Sequence, residues 1–276
     1  MKKIFTKNYW VRKGFALLML VMIGGSVKGQ VTLAGWDFNG LTGAGNSPQT
    51  PTTVFSNVSI VGLTRGSGLT INPSGTPSSN AWGSTYNVAG ITDAASAKNV
   101  NSFLTFSVKA NLGFALNLNE ISSYNVRRSS SGPTSGIWQY SLDGTNFTDI
   151  NTEITWGSTT SSAGNAQSSI NLSGINALQN VNTNTTITFR CVIWGAGTQS
   201  GTWYLNNFQT GNDFIINGSV SPMNYYSKST GNLNEVANWG TNTDGTGTAP
   251  SNFTTADQYF NVRNNATPTI GADWTI

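Results

Sequence analysis

The sequence of 276 residues contains no histidine and a single cysteine, Cys191. The missing histidine removes imidazole acid–base catalysis, His-activated Ser or Cys nucleophiles and histidine metal sites. One cysteine excludes an intramolecular disulfide. Stability must then come from core burial, with a structural Ca²⁺ as the one metal to weigh. Charged residues make up only 9% of the chain. The carboxylates are correspondingly sparse: Glu120, Glu153 and Glu235 lie far apart, and Asp143 and Asp149 flank a turn. A glycosidase needs two carboxyls about 5–9.5 Å apart, and nothing in the sequence marks such a pair. The reading is of a chain that is not an enzyme and carries no catalytic residues. Long amphipathic helical patterns are missing as well.

The first 29 residues are unlike the rest. Lys2, Lys3, Lys7, Arg12 and Lys13 precede an apolar run from Phe15 to Ile23, and small residues follow up to Gly29. This is the layout of a secretory signal peptide over residues 1–29, with cleavage before Gln30. The apolar run is shorter than the ~20 residues a membrane span needs, so no span is expected after cleavage. A retained N-terminal anchor is the alternative. The expected address is secreted, in the medium or on the outer cell surface. Six of the 14 Lys and Arg lie in this segment and none of the 11 Asp and Glu do. The remainder therefore carries eight basic against 11 acidic residues, a net charge of −3. Its basic residues are scattered, which excludes the electrostatic footprint of a nucleic-acid partner.

What remains is rich in Asn, Thr, Ser and Gly, yet the chain also holds nine Trp, eight Tyr and 13 Phe. Disordered chains lack such residues, so this one can build a core. Apolar residues alternate with polar ones in short runs broken by Gly, Asn, Ser and Pro, the pattern of an all-β sandwich or barrel. Strands are predicted at Val31 to Phe38, Asn57 to Gly62, Leu69 to Ile71, Ser102 to Ala110, Ile121 to Ser129 and Gly136 to Leu142. Asp143-Gly144 is a favoured two-residue hairpin pair, with Phe147 to Ile150 as the return. Ser168 to Leu172, Thr185 to Trp194, Thr202 to Phe208 and Asp213 to Val220 complete the set. The first and last strands are expected to lie side by side and close the domain. Pro222 is expected to end the strand run. Beyond it turns become denser, and the chain stops at Ile276 as if in mid-strand, which suggests a piece of a longer protein.

Alternation also sorts faces. In Thr185 to Trp194, Ile187, Phe189, Cys191 and Ile193 share one face and read as core, making Cys191 a buried, inert thiol. Arg190 and Trp194 fall on the other face, where Arg127, Arg128 and Gln139 are candidates to join them. An exposed ring beside amides and guanidinium groups suits a glycan or another surface polymer, because a few polar groups orient a ligand over an apolar platform. The plainer reading is that Trp194 caps the core and the arginines solubilise a face. For metal, Asp37 and Asn39 follow the first strand and Asp213 precedes the last. Pairing of those strands would bring their oxygens together for Ca²⁺. The plainer reading makes them caps of strand ends.

Three stretches, "AGWDFNG" (34–40), "YNVRRSSSGPTSGIWQYSLDGTNFTDI" (124–150) and "GTWYLNNFQTGNDFIINGSV" (201–220), resemble the N-terminal jelly-roll-like modules of large surface proteins exported by the bacterial type IX route. The following "NYYSKSTGNLNEVANWGTNTDGTGTAPSNFTT" looks like the opening of a repetitive β-solenoid region in similar proteins. The resemblance implies a jelly-roll-like β-sandwich over residues 30–221 and the beginning of a second, solenoid-like β module over 222–276. It implies a non-catalytic module used in adhesion, spacing or glycan binding. The alternative is an accessory carbohydrate-binding domain of an extracellular polysaccharide-degrading enzyme. A third reading is a structural jelly roll without a ligand of its own.

Overall fold

The computed structural model describes residues 29–71, 79–86, 88, 90–160, 162–265 and 267–273. The expected signal peptide, except for Gly29, lies outside them. Among the described residues no helix is long and apolar enough to cross a membrane. The protein is an all-β sandwich built from three antiparallel sheets around one main core. One sheet has the order Ile170–Asn171, Phe114–Ile121, Phe214–Ser227, Val31–Trp36, Thr53–Val54. A second runs Thr148–Asp149, Ser135–Ser141, Ile187–Trp194, Phe103–Ala110, Val58–Arg65. The third runs Asn165–Gln167, Tyr124–Arg128, Thr202–Asn206, Ala81–Tyr86, Leu69–Thr70.

Period-two alternation explains why these segments are strands. Phe103–Ala110 buries Leu104, Phe106, Val108 and Ala110 and leaves the residues between them half-buried. Ile187–Trp194 buries Ile187, Phe189, Cys191 and Ile193 in the main core. Burial also pushes the Cys191 thiol well above its ordinary range, so it is held as the unreactive thiol. The centre of the core is Phe214. Its ring lies 5.6–5.8 Å from Trp36, Phe106, Tyr124 and Trp138, which come from all three sheets.

The two ends of the sandwich meet as the pattern requires. Val31–Trp36 pairs antiparallel with the first half of Phe214–Ser227, Trp36 opposite Phe214 and Val31 opposite Gly218. Two expectations are corrected here. Pro222 does not end the strand, which continues to Ser227. Pro222 is the last residue opposite the Phe114–Ile121 strand, and from Met223 onward the same strand pairs in parallel with Gln258–Asn261. A proline without N–H is tolerated at such a change of partner. The Asp143-Gly144 turn is not a two-residue hairpin either. Tyr140 pairs with Thr148, and of the two turn residues only Gly144 has positive φ, at 77°. Asp143 instead accepts the backbone N–H groups of Thr145 and Asn146 at 2.8 and 2.7 Å and so organises a longer loop.

Past Pro222 a smaller core forms from Met223, Tyr225, Leu233 and Trp239 with Ala115, and Phe253 and Phe260 pack against it. Alternation missed the strands Ala81–Tyr86 and Phe114–Ile121 and the helix Ala94–Asn99. The helix is six residues long, capped by Asp93, whose carboxylate accepts the Ser96 N–H at 2.9 Å. Six residues are too few for a helical period to stand out.

Candidate functional site

The outer face of Ile187–Trp194 carries Arg190 and Trp194, as alternation predicts, but it is not open. Trp194 is 6% exposed and packs with Val192 and Ala97 beneath the short helix, with Ile91, Phe103 and Ile137 at its margins. Its ring therefore offers no free platform for a sugar. The reason is tertiary: the Ala94–Asn99 helix lies over that end of the sheet. Arg190 is engaged too. Its Nε and Nη2 donate to Gln139 Oε1 at 2.9 and 2.6 Å, and Gln139 donates in turn to the Asp149 carboxylate. The guanidinium lies 3.7 Å from the centre of the Phe147 ring and 5.1 Å from that of Phe103. Desolvation lowers its pKa, and Asp149 opposes that shift. This chain of contacts joins three neighbouring strands and consumes the groups a ligand would use.

Arg127 and Arg128 point to opposite sides of their strand. Arg128 is buried and donates to the carbonyls of Pro133, Gly157 and Gly132 at 2.6, 3.1 and 2.9 Å. It pins two loops and is not a ligand contact. Arg127 lies 5.3 Å from the Tyr204 ring centre on the other side and reaches the Ser79 carbonyl at 3.4 Å. The five candidates thus do not converge on one surface.

The proposed metal set fares similarly. Asp213 is 1% exposed, and one of its oxygens accepts the Phe38 N–H at 2.8 Å. The other accepts the N–H groups of Phe208 and Gln209 at 2.9 and 3.3 Å. Desolvation raises its pKa against the pull of those bonds, and the nearby Asp37 raises it further. Asp37 and Asp213 are neighbours as strand pairing demands, but Asp37 accepts the Asn39 N–H at 2.8 Å in a local turn. Both carboxylates cap backbone, and Asn39 enters through its N–H rather than its side-chain oxygen. Among the described residues no group of three or more His, Cys, Asp or Glu could hold a metal.

A different place is open. A cleft of about 500 Å³ is lined by Tyr124, Ile150, Asn151, Glu153, Ile154 and the run from Gln167 to Asn171. Edge strands of all three sheets contribute to it: Ile154–Thr155, Asn165–Gln167 and Ile170–Asn171. Sheet edges leave main-chain groups unpaired, and here short strands and a polar chain surround them. Ile150, Ile154 and Ile170 give apolar surface, while Asn151, Gln167, Ser168, Ser169 and Asn171 supply amides and hydroxyls. Glu153 is the one acid among the lining residues. Some of these groups are committed: Asn151 accepts the Trp138 N–H at 3.2 Å, and Asn171 accepts the Ser173 N–H at 2.9 Å. Sequence reasoning placed strands at the two ends of this segment, Phe147 to Ile150 and Ser168 to Leu172, but marked no site in it, because "INTEITWGSTTSSAGNAQSSIN" (150–171) reads as low-complexity turn chemistry. Its one signal is a Glu set between Ile150 and Ile154.

Comparison with known proteins gives no family. No family model matches the chain, and no curated protein does. Among solved structures it is similar to the C-terminal domain of a chitobiase from Bacteroides fragilis, at 14% identity and a TM-score of 0.28, with 60% of this chain and 95% of that one covered.

Proposed function

We propose that this chain is a secreted, non-catalytic β-sandwich module of a bacterial surface protein, and that it binds glycan at the cleft where its three sheet edges meet. The cleft carries this reading. Polyhydroxylated ligands are held by amides, hydroxyls and a carboxylate spaced over apolar patches, and that is the lining of this cleft. Glu153 supports binding rather than hydrolysis, since a glycosidase requires a second carboxyl about 5–9.5 Å away and the lining supplies none. Attachment to surface polymer through such a module gives adhesion to whatever else the chain carries.

The test is a glycan array probed with the mature chain, followed by titration of any hit with Glu153→Ala. Glu153 is exposed, so its removal should leave the melting temperature unchanged. A hydrogen bond to a charged group is worth about 1.5–3 kcal/mol, so affinity should fall at least tenfold. Equal binding by the variant, or no retained glycan on a broad array, would overturn the assignment.

A further inference from the structure

The segment after Pro222 folds back on itself at an interval of 34 to 37 residues. Met223, Asn224, Tyr225 and Tyr226 pair in parallel with Gln258, Tyr259, Phe260 and Asn261, each partner 35 residues further along. The match continues beyond the strands. Asn261 Nδ2 donates to the Tyr225 carbonyl, Asn264 Nδ2 to that of Ser227 and Asn265 Nδ2 to that of Gly231, at separations of 36, 37 and 34 residues. Asn232 and Thr269 form an isolated parallel bridge, and the Gly271 N–H reaches Asn234 Oδ1, 37 residues away. Side chains stack in the same register. Tyr225 and Phe260 lie 5.4 Å apart with ring planes at 17°.

The sequence repeats with the structure. At a spacing of 35, Tyr225 matches Phe260, Lys228 matches Arg263, Ala237 matches Ala272, Asn238 matches Asp273 and Trp239 matches Trp274. Antiparallel hairpins do not produce parallel pairing in a constant register along a strand, here with Tyr225 stacked on Phe260; successive turns of a stacked coil do.

We infer that residues 223–257 are one coil of a stacked β-coil array, that residues 258–273 begin the second, and that the outer edge of Gln258–Asn261 is the docking surface for a further coil of the same 35-residue pattern. Among the described residues Gln258–Asn261 is paired on one side only. Tyr259, Val262 and Ile270 on this turn are 57%, 51% and 59% exposed. An open strand edge flanked by exposed apolar side chains is a template for pairing. Continuity of the parallel register selects a like coil as its occupant, because that interface already exists once between the two turns present.

The test appends a copy of residues 239–273 directly after Asp273, so that the Trp239 of the copy takes the place of Trp274. Hydrogen exchange is then followed in the Gln258–Asn261 peptide of the unmodified and extended chains. The extended chain should slow exchange there at least tenfold. A copy with Lys at its Phe260 position should not. Unchanged exchange with the intact copy would overturn the inference, as would protection of this edge by dimerisation of the unmodified chain. Independently of the extension, Tyr259→Lys in the unmodified chain should shift melting by less than about 2 °C, as expected for an open surface position. A core-like loss there would equally overturn it.

Discussion

Asp213→Asn tests how the two ends of the sandwich are held together. Asp213 precedes the closing strand and bonds to the Phe38 N–H beyond the opening strand, and to Phe208 and Gln209 in its own loop. An amide keeps one acceptor oxygen and turns an NH₂ toward the other donors. At least one buried N–H then loses its partner, at about 1–3 kcal/mol each. Against this, the amide avoids burying a charge, a cost visible in the raised pKa of Asp213. The donors outnumber the acceptors after substitution, so loss wins, at about 1–3 kcal/mol. In a domain of this size that lowers the melting temperature by about 5 °C. Thermal unfolding by circular dichroism, with and without EDTA, is the assay. Because the folded pKa is raised, the titration of Asp213 contributes stability that is full below its unfolded value and is lost as pH rises through the folded value. That component of the pH profile should be missing in the variant. A variant that melts within about 1 °C of the parent would refute the capping role. A comparable drop of the parent in EDTA would show that the carboxylate holds metal instead.

Two further outcomes follow from the same packing. Trp194→Ala should unfold the protein more easily by about 3–5 kcal/mol, the cost of emptying a buried indole site, and should leave glycan affinity unchanged; weakened glycan binding at an undiminished melting temperature would restore Trp194 to the surface. Asp143 accepts bonds from Asn146, Thr145 and Ser141, which hold its pKa well below the usual carboxylate range. Its contribution is present above the ordinary carboxylate range and is lost as pH falls through the folded value, so Asp143→Ala should narrow the stability difference from the parent only in strong acid, as read from urea unfolding midpoints across pH.

Alternation alone marked Ile187, Phe189, Cys191 and Ile193 as core, because a strand puts every second side chain on one face whatever it later packs against. Composition likewise excluded histidine chemistry and an intramolecular disulfide. The strand Phe114–Ile121 escaped notice because "FALNLNEI" buries residues irregularly, Phe114, Ala115 and Leu116 in succession. Local pattern could place Trp194 and Arg190 on the same outer face. It could not show that a six-residue helix covers the one and that Phe103, Phe147, Gln139 and Asp149 enclose the other. The cleft around Glu153 was equally beyond reach, since its walls are edge strands of three sheets. Which strand edges meet depends on pairings between residues far apart in the chain, such as Ile170 with Ile121 and Gln167 with Tyr124. Periodicity sets the face on which a side chain emerges; only long-range packing decides whether anything lies over that face.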